Sequence, residues 1–98
     1  MFARTSVWTG SPEALDKWDA GVALLRPFVA GLEGNAGAFF FIDHAAGRAL
    51  TLTLWETEAA ALASDQFADQ SRARTVAATG VSLLERGQYE VVEPSAAG

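Results

Sequence analysis

The chain has 98 residues, half of them hydrophobic, with 7 basic against 12 acidic residues and a formal net charge of −5. A chain of this length is expected to form one domain around a single core. The negative charge argues against DNA, RNA and anionic lipid as partners, because these require a basic surface. The sequence contains no cysteine, which excludes disulfides, thiol nucleophiles and thiolate metal sites.

The sequence also gives no sign of a membrane segment. No stretch reaches the ~20 apolar residues that a spanning helix requires, and the first residues, MFARTSVW, lack a basic stretch followed by a long apolar run. We therefore expect a cytoplasmic protein that does not contact the membrane.

A strand followed by a long helix is predicted for the first third of the chain. Residues 2–9 are rich in β-favouring types and stop at a Gly-Ser-Pro break. Ser11 can cap a helix that has Pro12 in its first turn. Pro27 lacks a backbone N–H, so we expect the helix to end or kink near Arg26. Apolar residues at steps of three and four give this helix one buried stripe: Leu15, Trp18, Val22, Leu25, Val29 and Leu32.

The middle of the chain predicts a β-hairpin from Ala38 to Glu56. Phe39–Ile42 form the first arm, and Asp43–Arg48 supply a polar turn in which Gly47 can adopt positive φ. Residues 49–55 alternate in side-chain direction, as a strand with two covered faces would. One face carries Leu50, Leu52 and Leu54, and the other carries Thr51, Thr53 and Trp55.

A second, interrupted helix is predicted after the hairpin. Thr57 can cap it, and the alanine-rich residues that follow favour helix. Large apolar anchors are sparse, so we expect a break near Asp65 before the helix resumes over Ser71–Thr79. Gly80 is placed to terminate it.

The final strand completes a recognisable order of elements. Val81–Val92 read as a last strand or strand pair with a bulge at Gly87, and residues 94–98 as a frayed tail of a single domain spanning 1–93. Strand, helix, strand, strand, helix, strand is the order of a ferredoxin-like α+β sandwich with an antiparallel sheet. Two helices cover one sheet face only, so the apolar second face predicts a homodimer.

Three segments resemble the antibiotic-biosynthesis monooxygenase type of dimeric α/β barrel, and the resemblance extends over nearly the whole chain. They are Gly37-Ala38-Phe39 before the hairpin, the turn at residues 43–47, and the junction Leu54-Trp55-Glu56-Thr57-Glu58. The family includes cofactor-free oxygenases of electron-rich polyphenols, haem-degrading enzymes and many members without an assigned activity.

The resemblance implies a pocket walled by Trp55. The asparagine and histidine of haem-degrading members have no counterpart here, since the first strand has Ala3, Thr5 and Ser6 and the second helix has Asp65 and Gln66. No cofactor is therefore expected. The polyphenol oxygenases pair the tryptophan with an asparagine and a tyrosine, and Thr51 and Ala61 stand roughly at those positions.

Two functions follow from this interpretation. The first is a site for an aromatic or quinone-like small molecule between helices and sheet, lined by Trp55, Phe67, Thr5 and Thr53. If the protein is an oxygenase, the carbanion of the substrate would reduce oxygen, and the protein would supply desolvation and orientation. The second is a non-catalytic dimeric binding or accessory module whose cleft is filled by its own side chains, with Trp55 as a core residue. The sequence identifies neither a substrate nor a catalytic residue.

Other polar residues predict less specific roles. His44, the only histidine, falls in the hairpin turn, where we expect exposure to solvent. A lone histidine without cysteine or an acidic cluster does not predict a metal site. Arg4 lies in the middle of a strand and needs either solvent or a partner such as Glu90 across the sheet. We expect it to form an interface ion pair, and anion binding is the alternative. Arg72 and Arg74 are expected to be solvated, with at most one facing inward.

Overall fold

The computed structural model describes residues 1–92 and contains a four-stranded antiparallel sheet in the order β2-β3-β1-β4. The elements are β1 (Phe2–Thr9), α1 (Pro12–Ala30), β2 (Asn35–Asp43), β3 (Arg48–Trp55), α2 (Glu58–Ala63), α3 (Asp65–Thr79) and β4 (Ser82–Glu90). The predicted ferredoxin-like α+β fold with an antiparallel sheet is confirmed. The predicted frayed tail at 94–98 lies outside the described residues.

Helix α1 begins as predicted but extends further. The Ser11 hydroxyl accepts a hydrogen bond from the Ala14 N–H at 3.1 Å. The helix continues through Pro27 to Ala30, so of the two predicted alternatives, an end or a kink near Arg26, the end is wrong. Packing of the last turn explains the difference, because Val29 is buried and Phe28 stacks on the ring of Phe67 in α3.

Strand β2 begins at Asn35, earlier than the predicted Phe39. The Asn35 side chain donates to the carbonyls of Gly37 and Leu54 and accepts from the Gly37 N–H, which extends the pairing of the two strands. Gly34 before it has φ +76°, and a Cβ there would lie 2.5 Å from the Cβ of Ala60. Only glycine therefore allows the entry to β2 to pass this close to α2.

The second half of the chain follows the predicted order with two corrections. The break between helices falls at Ser64, close to the predicted position, but α3 begins at Asp65 rather than Ser71. The β-bulge was predicted at Gly87, but the register between β1 and β4 shifts opposite Val7 and Trp8, between Leu83 and Glu85. The Tyr89 ring lies against Gly87 instead, at 2.5 Å from the position of a Cβ. Gly80 ends α3 with φ +85°, as predicted.

The two faces of the sheet have different surroundings. The compact part of the core packs the start of α1 on one half of the sheet, and its members are Trp8, Ala14, Leu15, Trp18, Ala49 and Val81. The other face carries alternate strand positions that are at least partly exposed: Thr5, Val7, Phe39, Phe41, Leu50, Leu52, Leu54, Glu85 and Tyr89. Ala3 lies on the same face but is buried. Within residues 1–92, no helix is long and apolar enough to cross a membrane.

Candidate ligand-binding cavity

A cavity of about 460 Å³ lies between α1, α3 and the sheet. Six aromatic residues contribute to its lining: Trp8, Trp18, Phe28, Phe40, Trp55 and Phe67. All three tryptophans of the chain are among them. Its volume falls in the range of small-molecule sites, which are concave and mostly apolar. The cleft is therefore open and is not filled by the side chains of the protein.

The strand alternation of β1 and β3 builds the floor of the cavity. Trp55 is 2% exposed, and its indole N–H donates to Thr53 Oγ1 at 3.0 Å. Trp8 donates in the same way to Thr51 Oγ1 at 3.2 Å. Each threonine hydroxyl accepts one indole N–H and keeps its own O–H as a donor. The floor thus combines two fixed indole rings with two hydroxyl groups.

Three of the four residues predicted to bind a ligand line this cavity. Trp55, Thr53 and Phe67 belong to its wall, whereas Thr5 does not. Thr5 pairs in register with Leu52 and Gly87 on the opposite face of the sheet. Successive side chains of a strand point to opposite faces. Arg4 and Ser6 line the cavity, so Thr5 between them points to the opposite face of the sheet. The prediction that Thr5 binds the ligand in this cavity is therefore corrected.

Two stacked phenylalanines belong to the lining of the cavity. The rings of Phe28 and Phe67 have centroids 5.0 Å apart and an interplanar angle of 27°. Phe28 is 58% exposed, and its neighbour Leu24, which also lines the cavity, is exposed as well. The pair links α1 to α3 at a part of the lining that is exposed to solvent.

Arg4 fixes the corner between α2 and α3 beneath the cavity. Its Nη1 donates to Ser64 Oγ at 2.6 Å, and its Nη2 contacts the Ala61 carbonyl and the Asp65 carboxylate. The guanidinium also lies 5.6 Å from the centroid of the Trp55 ring. Burial lowers the pKa of Arg4, and Asp65 opposes this shift. The predicted partner Glu90 is wrong, because the side chain extends towards the helices.

Arg72 on α3 is less exposed to solvent than its sequence position predicted. Arg72 and Arg74 both contribute to the lining, but the Arg72 side chain is only 12% exposed. Its Nη2 donates to the carboxylate of Asp69 one helical turn away. The expectation that both arginines are solvated is therefore wrong for Arg72, whereas Arg74 is exposed as expected. Spacing on a helix shows which residues diverge, but it does not show which of them faces a cavity.

Groups that could exchange protons are scarce near the cavity. Its lining, as far as the structure describes it, contains no aspartate, glutamate or histidine. His44 is exposed in the hairpin turn, as expected. In residues 1–92, no group of three or more His, Asp or Glu side chains could hold a metal ion.

The fold is that of the antibiotic biosynthesis monooxygenases, as the sequence resemblance predicted. No protein-family model matches the chain, and no curated protein matches it significantly. A candidate antibiotic biosynthesis monooxygenase from Deinococcus radiodurans superposes with a TM-score of 0.78 at 14% identity, over 98% of this chain and 97% of the other.

Two further solved structures with this fold are enzymes with different activities. SnoaB from Streptomyces nogalater, a cofactor-independent oxygenase solved as its N63A mutant, has a TM-score of 0.68 at 17% identity, over 96% of this chain and 97% of its own. The haem degrader MhuD from Mycobacterium tuberculosis, solved with two haems in its active site, also reaches 0.68, at 21% identity over 98% and 100% of the chains. This level of similarity establishes the fold.

Proposed function

We propose that the chain binds an aromatic or quinone-like small molecule in this cavity, and that it acts on such a molecule as a cofactor-free monooxygenase. The observation that carries the proposal is the open cavity of about 460 Å³ walled by aromatic rings. Ring stacking favours flat ligands of this kind. SnoaB, with the same fold, is a cofactor-independent oxygenase.

The proposed reaction needs only the substrate and molecular oxygen. An activated CH₂ group of a reduced polycyclic phenol loses a proton to solvent water, and the carbanion donates electrons to O₂ and forms a C–O bond. The resulting peroxide anion takes up a proton from water and becomes the hydroperoxide. Loss of water from the hydroperoxide leaves a ketone, so that CH₂ and O₂ become C=O and H₂O. The protein contributes orientation and desolvation, a role that we assign to Trp55 and Phe67 because both line the cavity.

The reaction can be tested with dissolved oxygen and an anthrone as substrate. We expect the protein alone, without added metal, flavin or haem, to accelerate oxygen uptake and quinone formation in a 1:1 ratio. An oxygen electrode and the visible absorbance of the quinone measure the two quantities together. Quinone formation at the rate of the buffer blank would contradict catalysis on this class of substrate.

A second candidate function is binding without catalysis. The lining described above lacks any carboxylate or imidazole that could remove a proton, and general bases typically contribute 10²–10⁴-fold to such reactions. A binding module would bind the same class of ligand and leave it unchanged. The two functions therefore share the cavity and differ only in turnover.

Ligand binding itself is tested at Phe67 and Thr5. All three tryptophans line the cavity, so quenching of their fluorescence by a naphthoquinone reports binding there. We expect Phe67→Ala to weaken binding roughly five- to tenfold, because an aromatic contact contributes about 1 kcal/mol beyond its buried area. Thr5→Val, on the opposite sheet face, should leave the affinity unchanged. Equal affinities for all three proteins would contradict the assignment of this cavity.

We also propose that the apolar sheet face pairs two copies of the chain into a homodimer. Its three cross-strand rows bring Phe41, Leu50 and Val7 together, and likewise Phe39 with Leu52, and Leu54 with Ala3. Phe39 and Phe41 are about half exposed. Such a contiguous apolar patch is unusual on a monomer, and it can meet its own copy across a two-fold axis. Charged residues also lie on this face, namely Glu85 beside Val7 and the paired Asp43 and Arg48 at the end of the hairpin strands.

A charge on the central strand tests the dimer. We expect Leu52→Glu to convert the dimer to monomer, with at least a tenfold increase in the dissociation constant, because the glutamates would be buried near each other. Light scattering after size exclusion measures the mass. Ala77→Glu, an exposed position on α3, adds the same charge and should remain dimeric. A wild-type chain that is monomeric at micromolar concentration would contradict the proposal.

A further inference from the structure

The charges around the cavity differ in sign from the chain as a whole. The protein carries a formal net charge of −5, yet the ionisable side chains that line the cavity are three arginines: Arg4, Arg72 and Arg74. The acidic partners Asp65 and Asp69 do not belong to the lining. An otherwise apolar cavity with a cationic wall favours a ligand of negative charge.

The three arginines differ in the number of hydrogen bonds that they make to protein groups and in their exposure to solvent. Arg4 donates to Ser64, Ala61 and Asp65, so it serves the α2–α3 corner. Arg74 is exposed to solvent, where attraction to an anion is weak. Arg72 lies between these extremes, because its side chain is largely buried and bonded at one nitrogen only.

Asp69 neutralises Arg72 only in part. The same Asp69 Oδ1 also accepts from Arg86 Nη1 of β4 at 3.2 Å, so one carboxylate serves two guanidinium groups. Within the described residues, Arg72 Nε and Nη1 make no hydrogen bond. A guanidinium has five donors in a planar fork that suits paired oxygen atoms. Arg72 therefore has the donors and the residual charge to bind an anionic oxygen.

The lack of a base points to the same kind of ligand. No carboxylate or imidazole in the described lining can take a proton from a neutral phenol. A ligand that is already ionised at neutral pH needs no such group. Its negative oxygen would instead require donors, which the arginine and the hydroxyls of Thr51 and Thr53 provide.

We infer that the cavity selects aromatic ligands that carry a negatively charged oxygen at neutral pH, and that the guanidinium of Arg72 binds that oxygen. The chemical class is an aromatic phenolate, enolate or carboxylate. The inference rests on the proposed small-molecule site and adds the charge of its ligand. Binding of the anionic form also lowers the pKa of a phenolic ligand, so the site itself favours the ionised substrate.

Two naphthoquinones of matched shape test the charge. The 2-hydroxy-1,4-naphthoquinone is an anion at neutral pH, and its 2-methoxy ether is neutral. The chain has no cysteine, so thiol addition to either quinone does not interfere. We expect quenching of tryptophan fluorescence to show about tenfold tighter binding of the anion, as for a charge-assisted hydrogen bond. Added salt should reduce the preference.

Two arginine variants locate the binding group. Arg72→Gln should abolish the preference for the anion while retaining the affinity for the methoxy ether. Arg48→Gln removes the same charge at an exposed position outside the cavity and should behave as the wild type. Circular dichroism melting of each variant shows whether it is folded, and Arg72→Lys provides a second variant that retains the charge but not the planar fork.

Each outcome has a distinct meaning. If neither quinone quenches the fluorescence, the proposed small-molecule site itself is wrong. If both quinones bind equally well, the site stands and the inferred selectivity for anions is overturned. A preference that persists unchanged in Arg72→Gln would overturn the assignment to Arg72. Loss of the preference in Arg72→Gln alone supports the inference as stated.

Discussion

Replacing Trp55 with alanine is expected to lower the free energy of unfolding by about 3–5 kcal/mol, the cost typical of a large buried aromatic side chain. Trp55 is 2% exposed and is the largest fully buried side chain in residues 1–92. The substitution also removes the ring that faces the Arg4 guanidinium and the indole N–H that donates to Thr53. The total free energy of unfolding of a small domain is only about 5–15 kcal/mol, so the expected loss is a large fraction of the stability of the protein.

Urea denaturation followed by circular dichroism measures the effect, because it does not depend on the tryptophan signal that the substitution removes. Trp55→Phe serves as the control and should lose only part of this stability, because an aromatic ring remains under Arg4. The affinity for a quinone should fall in Trp55→Ala as well, since the ring forms the cavity floor. Unchanged stability together with unchanged affinity would contradict both roles of Trp55.

The sequence alone proposed Trp55 as either a core residue or a pocket wall, and the structure shows why these alternatives are not exclusive. The ring is buried by Arg4 on one side and still borders the cavity. Strand periodicity predicted which residues of β3 share a face with Trp55, because alternation is a property of the backbone. The same rule would have removed Thr5 from the predicted site once Arg4 was placed.

Features that depend on contacts between distant segments could not be predicted in this way. α1 continues past Pro27 because Phe28 and Val29 pack on the rest of the protein, and this packing outweighs the lost hydrogen bond. The partner of Arg4 lies about 60 positions further along the chain, where no local pattern points to it. A charge in a strand predicted that a partner was needed, but its identity follows only from the tertiary structure.

Replacing Arg4 with methionine is expected to lower the free energy of unfolding by about 2–4 kcal/mol, although methionine keeps the apolar stem of the side chain. The substitution removes the buried charged donor to the Ser64 hydroxyl and the Ala61 carbonyl, and a hydrogen bond to a charged group contributes about 1.5–3 kcal/mol. The Ser64 hydroxyl still donates to the Ala61 carbonyl, so neither group loses every partner. The substitution also removes the charge above the Trp55 ring. Chemical denaturation of the variant and the wild type measures the difference.

The variant Asp65→Asn measures how much the ion pair with Arg4 contributes to stability, apart from the other hydrogen bonds of Arg4. Asp65 is 45% exposed on its side chain, so the pair is screened by solvent and we expect a cost of about 1 kcal/mol or less. A large effect of Arg4→Met beside a small effect of Asp65→Asn would assign the stabilisation to the buried hydrogen bonds that connect β1 to the α2–α3 corner. Equal effects would instead assign it to the charge of Asp65, and the corner would then depend on an ion pair weakened by salt.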